Sequence, residues 1–160
     1  MRTLVALLIA GLALPVTAAD LRPSKEPSAV EKLFSGKARL RLVNVWATWC
    51  VPCVAEMPDL RAIDAAFGSE LAVAGVTLDD MIPDTKPEKV ASFLDRHGIT
   101  FPNLYYTGNA DALGDHLRFD GEIPITIVYD RKGRELWRHR GRLERDATIA
   151  RLRELLRRTK

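Results

Sequence analysis

Cysteine is scarce in this chain, and its scarcity excludes one common role for the residue. The 160 residues contain two cysteines, Cys50 and Cys53, while His97, His116 and His139 are widely spaced and have no cysteine beside them. A structural zinc site takes about four Cys or His ligands. The sequence therefore predicts no metal-ligating residues, and no cofactor other than a redox-active disulfide between the two cysteines.

Long apolar runs are scarce as well. The one that is present, from Leu4 to Leu14, follows Arg2 and precedes Pro15 and a group of small residues. It is well short of the roughly 18 residues needed to span a bilayer, and its charged start and small-residue end are typical of a secretory signal peptide. We predict a cleaved signal peptide over residues 1–19 and export to a periplasm. An exposed leader over 20–27 and one soluble domain over 28–160 are expected to follow.

The two cysteines form a Cys-x-x-Cys motif with Val51 and Pro52 between them. An apolar run ends at Trp46 just before the motif, and a helical pattern continues from it as far as Gly68. A strand that leads into Cys-x-x-Cys at the start of a helix is typical of a redox-active dithiol. Because the first turn of a helix offers unpaired N–H groups and the positive end of the dipole, we expect Cys50 to be a thiolate and the nucleophile.

The cysteine pair has two other interpretations. A purely structural disulfide would close a loop too short to stabilise the fold appreciably. Two thiolates could instead bind Cu(I), which prefers soft ligands. The three methionines are scattered, and no Cys-His spacing accompanies the motif. Disulfide exchange is therefore the main prediction, and a Cu(I) carrier is the alternative.

The apolar periodicity predicts an α/β domain with a mixed central sheet flanked by helices. Strands are expected over 39–46, 71–78, 123–129 and 134–140, an extended segment over 99–106, and helices over 29–34, 50–67, 88–97, 109–117 and 143–158. Pro58 is expected to kink the second helix, and residues 130–133 are expected to form a hairpin turn. Ile149, Leu152 and Leu156 are expected to form the buried face of the last helix.

Together these features resemble the thioredoxin fold and, more narrowly, the exported thiol-disulfide oxidoreductases of the TlpA, ResA and DsbE type. The similarity is carried by the run from Leu42 to Cys53, the helix segment Glu56-Met57-Pro58, Ile123-Pro124 with Thr126, and the 130–133 turn. The block from Leu71 to about His97 is similar to the strand–helix insert that this group adds to plain thioredoxin.

The resemblance implies how a substrate would bind beside the dithiol. Pro124 is expected to follow a cis peptide bond and to face the two cysteines, and Ile123 is expected to pair its backbone with the substrate chain. Trp49 is expected to border the exposed sulfur and Pro52 to shape the same surface. Trp46 is expected to lie in the core.

The resemblance also implies a two-step exchange. Cys50 would attack a partner disulfide, and Cys53, one turn deeper, would then attack Cys50 and release the reduced partner. Cys53 needs a base for its proton, since burial in apolar surroundings raises the pKa of a thiol. Asp80 is the expected base, with Asp79 as the second candidate.

The function implied is that of a periplasmic reductant of selected protein disulfides, in cytochrome c maturation or in the assembly of copper-site proteins. A membrane electron donor of the thiol-relay type would recharge the dithiol. A disulfide-forming oxidant is the alternative direction. No exposed apolar stripe indicates a dimer, so a monomer is expected.

Charge is distributed unevenly along the chain. Between Arg131 and Lys160, twelve Lys or Arg residues accompany four Asp or Glu residues. Export and the lack of a binding motif argue against nucleic acid as the partner. We expect a solvated helix face that complements the negative end of the last helix, with weak attraction to an anionic membrane surface or an acidic partner.

Overall fold

The computed structural model describes residues 18–159, so the predicted signal peptide lies outside the described residues except for Ala18 and Ala19. The strands are β1 (Leu21–Ser24), β2 (Leu40–Trp46), β3 (Leu71–Thr77), β4 (Asn103–Tyr106), β5 (Ile125–Asp130) and β6 (Glu135–Arg140). The α-helices are α1 (Val51–Phe67), α2 (Pro87–His97), α3 (Ala110–Leu117) and α4 (Arg145–Arg158). Within residues 18–159, none of the helices is both long enough and apolar enough to cross a bilayer.

The six strands form one mixed sheet in the order β1-β4-β3-β2-β5-β6. The first four in that order are parallel to their neighbours, whereas β5 is antiparallel to β2 and β6 is antiparallel to β5. The predicted α/β class with a mixed sheet is therefore confirmed. The parallel strands all end at the edge of the sheet where β2 leads into the Cys-x-x-Cys motif.

Side-chain alternation along β2 divides the core between the two faces of the sheet. Leu40, Leu42 and Trp46 point to one face and pack with residues of α1, α2 and α4, whereas Val43 and Val45 point to the other face, toward α3. All five are fully buried. A central strand buried on both faces explains why this part of the sequence is almost continuously apolar.

The segment predicted as an exposed leader contains a strand that was not predicted. Leu21–Ser24 of that segment form β1, which pairs with β4 at the edge of the sheet. The strand has four residues and contains Pro23, so neither length nor apolar alternation marked it in the sequence. Beyond it, the predicted helix over 29–34 is replaced by two short 3-10 turns, Pro27–Ala29 and Glu31–Leu33.

Two details of the helices also differ from the sequence predictions. The last helix begins at Arg145 rather than at residue 143, because Leu143 is fully buried in the core before the helix starts. Its buried residues are Thr148, Leu152 and Leu155, with Ile149 and Leu156 only partly buried beside them. Helix α1 continues through Pro58 to its predicted end at Phe67.

The end of β2 is fixed by a close contact with β3 and β4. The Trp46 indole donates a hydrogen bond from Nε1 to Asn103 Oδ1 at 3.0 Å, directly over Gly75 of β3. A Cβ atom at position 75 would collide with the Asn103 side chain and would lie 2.9 Å from Trp46 Nε1. Only glycine leaves room for this bond, and Trp46 is four residues before Cys50.

We predict that Gly75→Ala lowers the free energy of unfolding by about 1–3 kcal/mol, because an extra methyl group must displace packed side chains. Urea unfolding followed by tryptophan fluorescence measures this change. Ala72→Ser, on the same strand but half-buried, is the control and should shift stability by less than about 0.5 kcal/mol. Equal stability of Gly75→Ala and the parent chain would show that the contact is not tight.

Candidate active site

The two cysteines lie where β2 ends and α1 begins. Cys50 is the residue that caps α1, with extended backbone angles, and its sulfur accepts a hydrogen bond from the Cys53 backbone N–H at 3.3 Å. The two sulfurs are joined in a disulfide. The helix N-terminus therefore directs an N–H donor and the positive end of its dipole at the Cys50 sulfur, as the sequence predicts.

The two sulfurs differ in accessibility. Cys50 retains 6% of its surface exposed, whereas Cys53 is completely buried. Cys53 lies on the inner side of the first turn of α1, among residues that pack against β2. Of the two buried residues, Cys50 is therefore the one that retains surface open to an incoming thiol or disulfide.

The loop before β5 lies against the Cys50 sulfur. The Ile123–Pro124 peptide bond is cis, as expected from the resemblance. The Ile123 carbonyl oxygen lies 3.8 Å from Cys50 Sγ, and Pro124 is buried. Residues 123 and 124 thus meet the dithiol across a gap of more than seventy positions in the sequence.

Exposed apolar residues lie beside Cys50 in the sequence, and we call Trp49, Val51 and Pro52 the apolar rim. The large apolar residues that are exposed in the described part of the chain are Trp49, Val51, Met81 and Ile82. Trp49 and Val51 flank Cys50, and Pro52 beside them is also exposed. Trp49 and Met81 line a groove of about 360 Å³ together with Phe119. Trp46, by contrast, is fully buried, as predicted.

The loop that carries Trp49 is held by a buried carboxylate. Asp79 is completely buried, and it accepts hydrogen bonds from the Thr48 backbone N–H at 3.1 Å and from the hydroxyls of Thr48 and Thr77. The second candidate base is thus already bound by donors of the loop before Cys50. We infer that Asp79 positions that loop.

Asp80, the expected base for Cys53, is not a buried carboxyl. Asp79 and Asp80 share a short 3-10 turn after β3, and successive residues of such a turn point in different directions. Asp80 is the exposed member of the pair.

Burial raises the pKa of the Tyr105 hydroxyl, and the nearby carboxylates of Asp80 and Asp79 add to the increase.

The buried carboxyl on the dithiol's own helix is Glu56, to which the sequence analysis gave no role. Glu56 follows Cys53 by three residues on α1, so the two side chains lie on neighbouring positions of one helix face. It is completely buried and accepts hydrogen bonds from Asn44 Nδ2 at 2.9 Å and from the Leu143 N–H at 2.7 Å.

Burial raises the pKa of Glu56 and outweighs the factors that lower it, which are the hydrogen bonds from Leu143 and Asn44 and the charges of His139 and Arg142. The Asn44 amide also donates to Thr126 Oγ1 at 3.1 Å, while its Oδ1 is buried without a hydrogen-bond partner among the described residues. The site therefore combines a disulfide, a carboxyl with a raised pKa and a spare acceptor beside that carboxyl.

Among residues 18–159, no set of three or more His, Cys, Asp or Glu side chains is arranged to hold a metal ion.

Comparisons with known proteins agree with this geometry. Residues 10–156 match the Redoxin family. The chain is 37% identical over 134 residues to a thiol:disulfide interchange protein DsbE homolog of Paracoccus denitrificans, covering 75% of this chain and 66% of that protein. It is 30% identical over 149 residues to the thiol:disulfide interchange protein HelX of Rhodobacter capsulatus, covering 91% and 69% respectively. The chain thus spans about two thirds of the length of these curated relatives.

The fold is also similar to that of a thiol-disulfide isomerase from Corynebacterium glutamicum. The TM-score is 0.64 at 22% identity, over 88% of this chain and 96% of that structure. The sheet order, the cysteine pair at the start of α1 and the cis-proline opposite it define a thioredoxin-like redox domain. The chain belongs to the Redoxin family.

The raised pKa of Glu56 predicts a pH-dependent contribution to stability. The folded state holds the Glu56 proton to a higher pH than the unfolded state, so stability falls as pH rises from the ordinary value of 4.5 through the raised pKa. We expect Glu56→Gln to remove this fall, which has a slope of at most about 1.4 kcal/mol per pH unit. Urea unfolding of the oxidised protein across this pH range measures it.

The matched control is Asp80→Asn, which makes the same carboxyl-to-amide change at an exposed position. Its stability should follow the pH dependence of the parent chain. If Glu56→Gln and the parent chain lose stability in parallel as pH rises, the pKa of Glu56 is not raised.

Proposed function

We propose that this protein is an exported thiol-disulfide oxidoreductase that reduces selected protein disulfides through the Cys50–Cys53 pair. The observation that carries the proposal is the asymmetry of the two sulfurs. Cys50 lies at the helix N-terminus and retains some accessible surface, whereas Cys53 is completely buried one helical turn further along. The two steps of an exchange require this difference.

In the first step, the reduced protein uses its Cys50 thiolate to attack one sulfur of a partner disulfide. A mixed disulfide forms, and the other partner sulfur leaves as a thiolate that takes a proton. The Cys53 N–H, which points at Cys50 Sγ, favours the charged form of the attacking sulfur. The substrate chain would lie over the apolar rim and pair with the backbone of Ile123, beside Pro124.

In the second step, Cys53 attacks Cys50 Sγ, and the partner leaves with both of its sulfurs reduced. Two electrons have then passed from the dithiol to the partner, and Cys50 and Cys53 are again joined. We assign the proton of Cys53 to Glu56 rather than to Asp80, because Glu56 is buried on the same helix face and its pKa is raised.

Two classes of target follow from the family resemblance. These are an apocytochrome c whose haem-binding cysteines must be reduced, and a copper-site protein whose ligand cysteines must be reduced. Both are exported proteins that meet an oxidising compartment. Reduction there needs a supply of electrons, which we assign to a thiol-relay donor in the membrane.

The cysteine variants test the exchange directly. We expect Cys50→Ser to abolish reduction of a disulfide-containing peptide, because the accessible nucleophile is lost. Cys53→Ser should instead accumulate a mixed disulfide through Cys50, because the second attack cannot occur. Mass spectrometry of unreduced samples identifies the trapped species. Full activity of Cys50→Ser would overturn the proposal.

The reduction potential of the Cys50–Cys53 couple tests the direction. We expect a value nearer to that of thioredoxin, about −270 mV, than to that of DsbA, about −120 mV. The residues between the cysteines, Val51 and Pro52, add no charge that would stabilise a thiolate, and the Glu56 carboxylate on the same helix disfavours one. Equilibration of the protein with glutathione buffers gives the potential. A value near the DsbA end would make the protein a disulfide-forming oxidant.

A further inference from the structure

The cations of the C-terminal third are not spread evenly over the surface. Strand β5 runs away from the dithiol and ends at Asp130, opposite Leu40 at the start of β2. The turn that follows, and Arg39 just before β2, therefore lie at the end of the sheet opposite Cys50. Helix α4 also ends there, since the Arg39 guanidinium donates to the Leu156 carbonyl oxygen at 2.6 Å. We call this region the basic end; its cations are Lys37, Arg39, Arg131, Lys132, Arg134, Arg157 and Arg158.

The acidic residues at the basic end are already bound and leave a surplus of positive charge. Asp130 accepts from the backbone N–H groups of Lys132 and Arg134 and pairs with the Arg134 side chain at 2.7 Å. Glu70 pairs with Arg39 at 2.8 Å, and Glu154 approaches Arg158 at 3.4 Å.

The surplus comes from four exposed cations. These four cations have no ion-pair partner among residues 18–159, and they are Lys37, Arg131, Lys132 and Arg157. Arg131 and Lys132 line a hollow of about 270 Å³ with Arg39, Arg134 and Arg158.

Two arginines nearer the dithiol are each paired with a carboxylate, whereas Lys86 and Lys89 at the start of α2 are exposed and have no ion-pair partner among residues 18–159. Arg140 pairs with Asp120 at 2.6 Å and Arg142 with Asp59 at 3.5 Å. The two ends of the molecule also differ in apolar surface. The exposed large apolar residues of the described chain, Trp49, Val51, Met81 and Ile82, flank Cys50 or follow β3 at the dithiol end. The basic end therefore offers charge without an apolar anchor.

We propose that the basic end docks on the anionic headgroups of a phospholipid membrane and leaves the dithiol facing away from it. A protein partner would be expected to bury an apolar anchor at the centre of its interface, and the basic end offers none. A membrane presents anionic groups over a broad area and needs only charge.

The separation of the two ends makes the orientation specific. The seven residues of β2 extend over roughly 20 Å at about 3.3 Å per residue. This exceeds the Debye length of about 8 Å at physiological ionic strength, so charges at the dithiol end contribute little to the attraction. The inference goes beyond the proposed redox function, and either can fail without the other. A donor in the membrane would recharge the dithiol only in molecules that have left the lipid surface.

The test is sedimentation of the full chain with vesicles of phosphatidylglycerol and phosphatidylcholine in equal parts, compared with pure phosphatidylcholine. Each surface cation contributes about a fivefold factor to binding of an anionic membrane. We therefore expect Arg131→Gln with Lys132→Gln to weaken binding to the anionic vesicles about 25-fold. Binding to phosphatidylcholine, to which residues 1–17 contribute equally in every variant, should not change.

The matched control is Lys86→Gln with Lys89→Gln, which removes the same charge from exposed positions at the start of α2, at the dithiol end. It should leave binding within about twofold of the parent chain. An equal loss of binding to anionic vesicles in both double variants would overturn the proposal. Equal binding of the parent chain to anionic and to phosphatidylcholine vesicles would overturn it as well. Tighter binding to soluble polyglutamate than to anionic vesicles would also overturn it and would indicate an acidic protein partner instead.

The orientation has its own measurement. The reduced protein should react with iodoacetamide at Cys50 equally fast when bound to anionic vesicles and when free in solution. Slower alkylation of the bound form would show that the dithiol end faces the membrane and would contradict the docking geometry. This readout concerns accessibility alone and does not require any exchange activity.

Discussion

The site depends on one local constraint, which is that a helix begins almost directly after a buried central strand ends. Strand β2 is locked in the sheet up to Trp46, and α1 starts five residues later at Val51. The short connection leaves the Cys50 sulfur in front of the first N–H groups of the helix, and it places Cys53 one turn inward against the sheet. Differences in charge stabilisation and access between two chemically identical thiols follow from that arrangement alone.

Much of this could be predicted from the sequence because the signals are local. The Cys-x-x-Cys spacing, the apolar strand before it and the glycine after the helix are all within a stretch of about 30 residues. Pro124 is far away in sequence, and its cis geometry could be expected only from the resemblance to a known family. The positions of Cys50, Cys53, Trp46 and Pro124 in the structure agree with those expectations.

Glu56 could not be identified as the base from the sequence, because the burial of a carboxyl is not a local property. Asp79 and Asp80 are adjacent in the sequence, yet one is bound to Thr48 and the other is exposed. Glu56 is buried because Asn44 and Leu143, 12 and 87 positions away, supply its hydrogen bonds. A glutamate on the inner face of an otherwise apolar helix was the available signal. It becomes informative only when the facing strand is known to carry an asparagine.

The first and last strands of the sheet have a further consequence. An exposed strand edge offers unpaired backbone groups to other chains, and both edges here are poor templates for such pairing. At one edge, β1 has four residues and contains Pro23. At the other, β6 carries Glu135, Arg138 and Arg140, and the register with β5 shifts between Val128 and Tyr129. The fold can thus expose apolar residues near Cys50 while its edge strands, β1 and β6, resist fibril-like self-association.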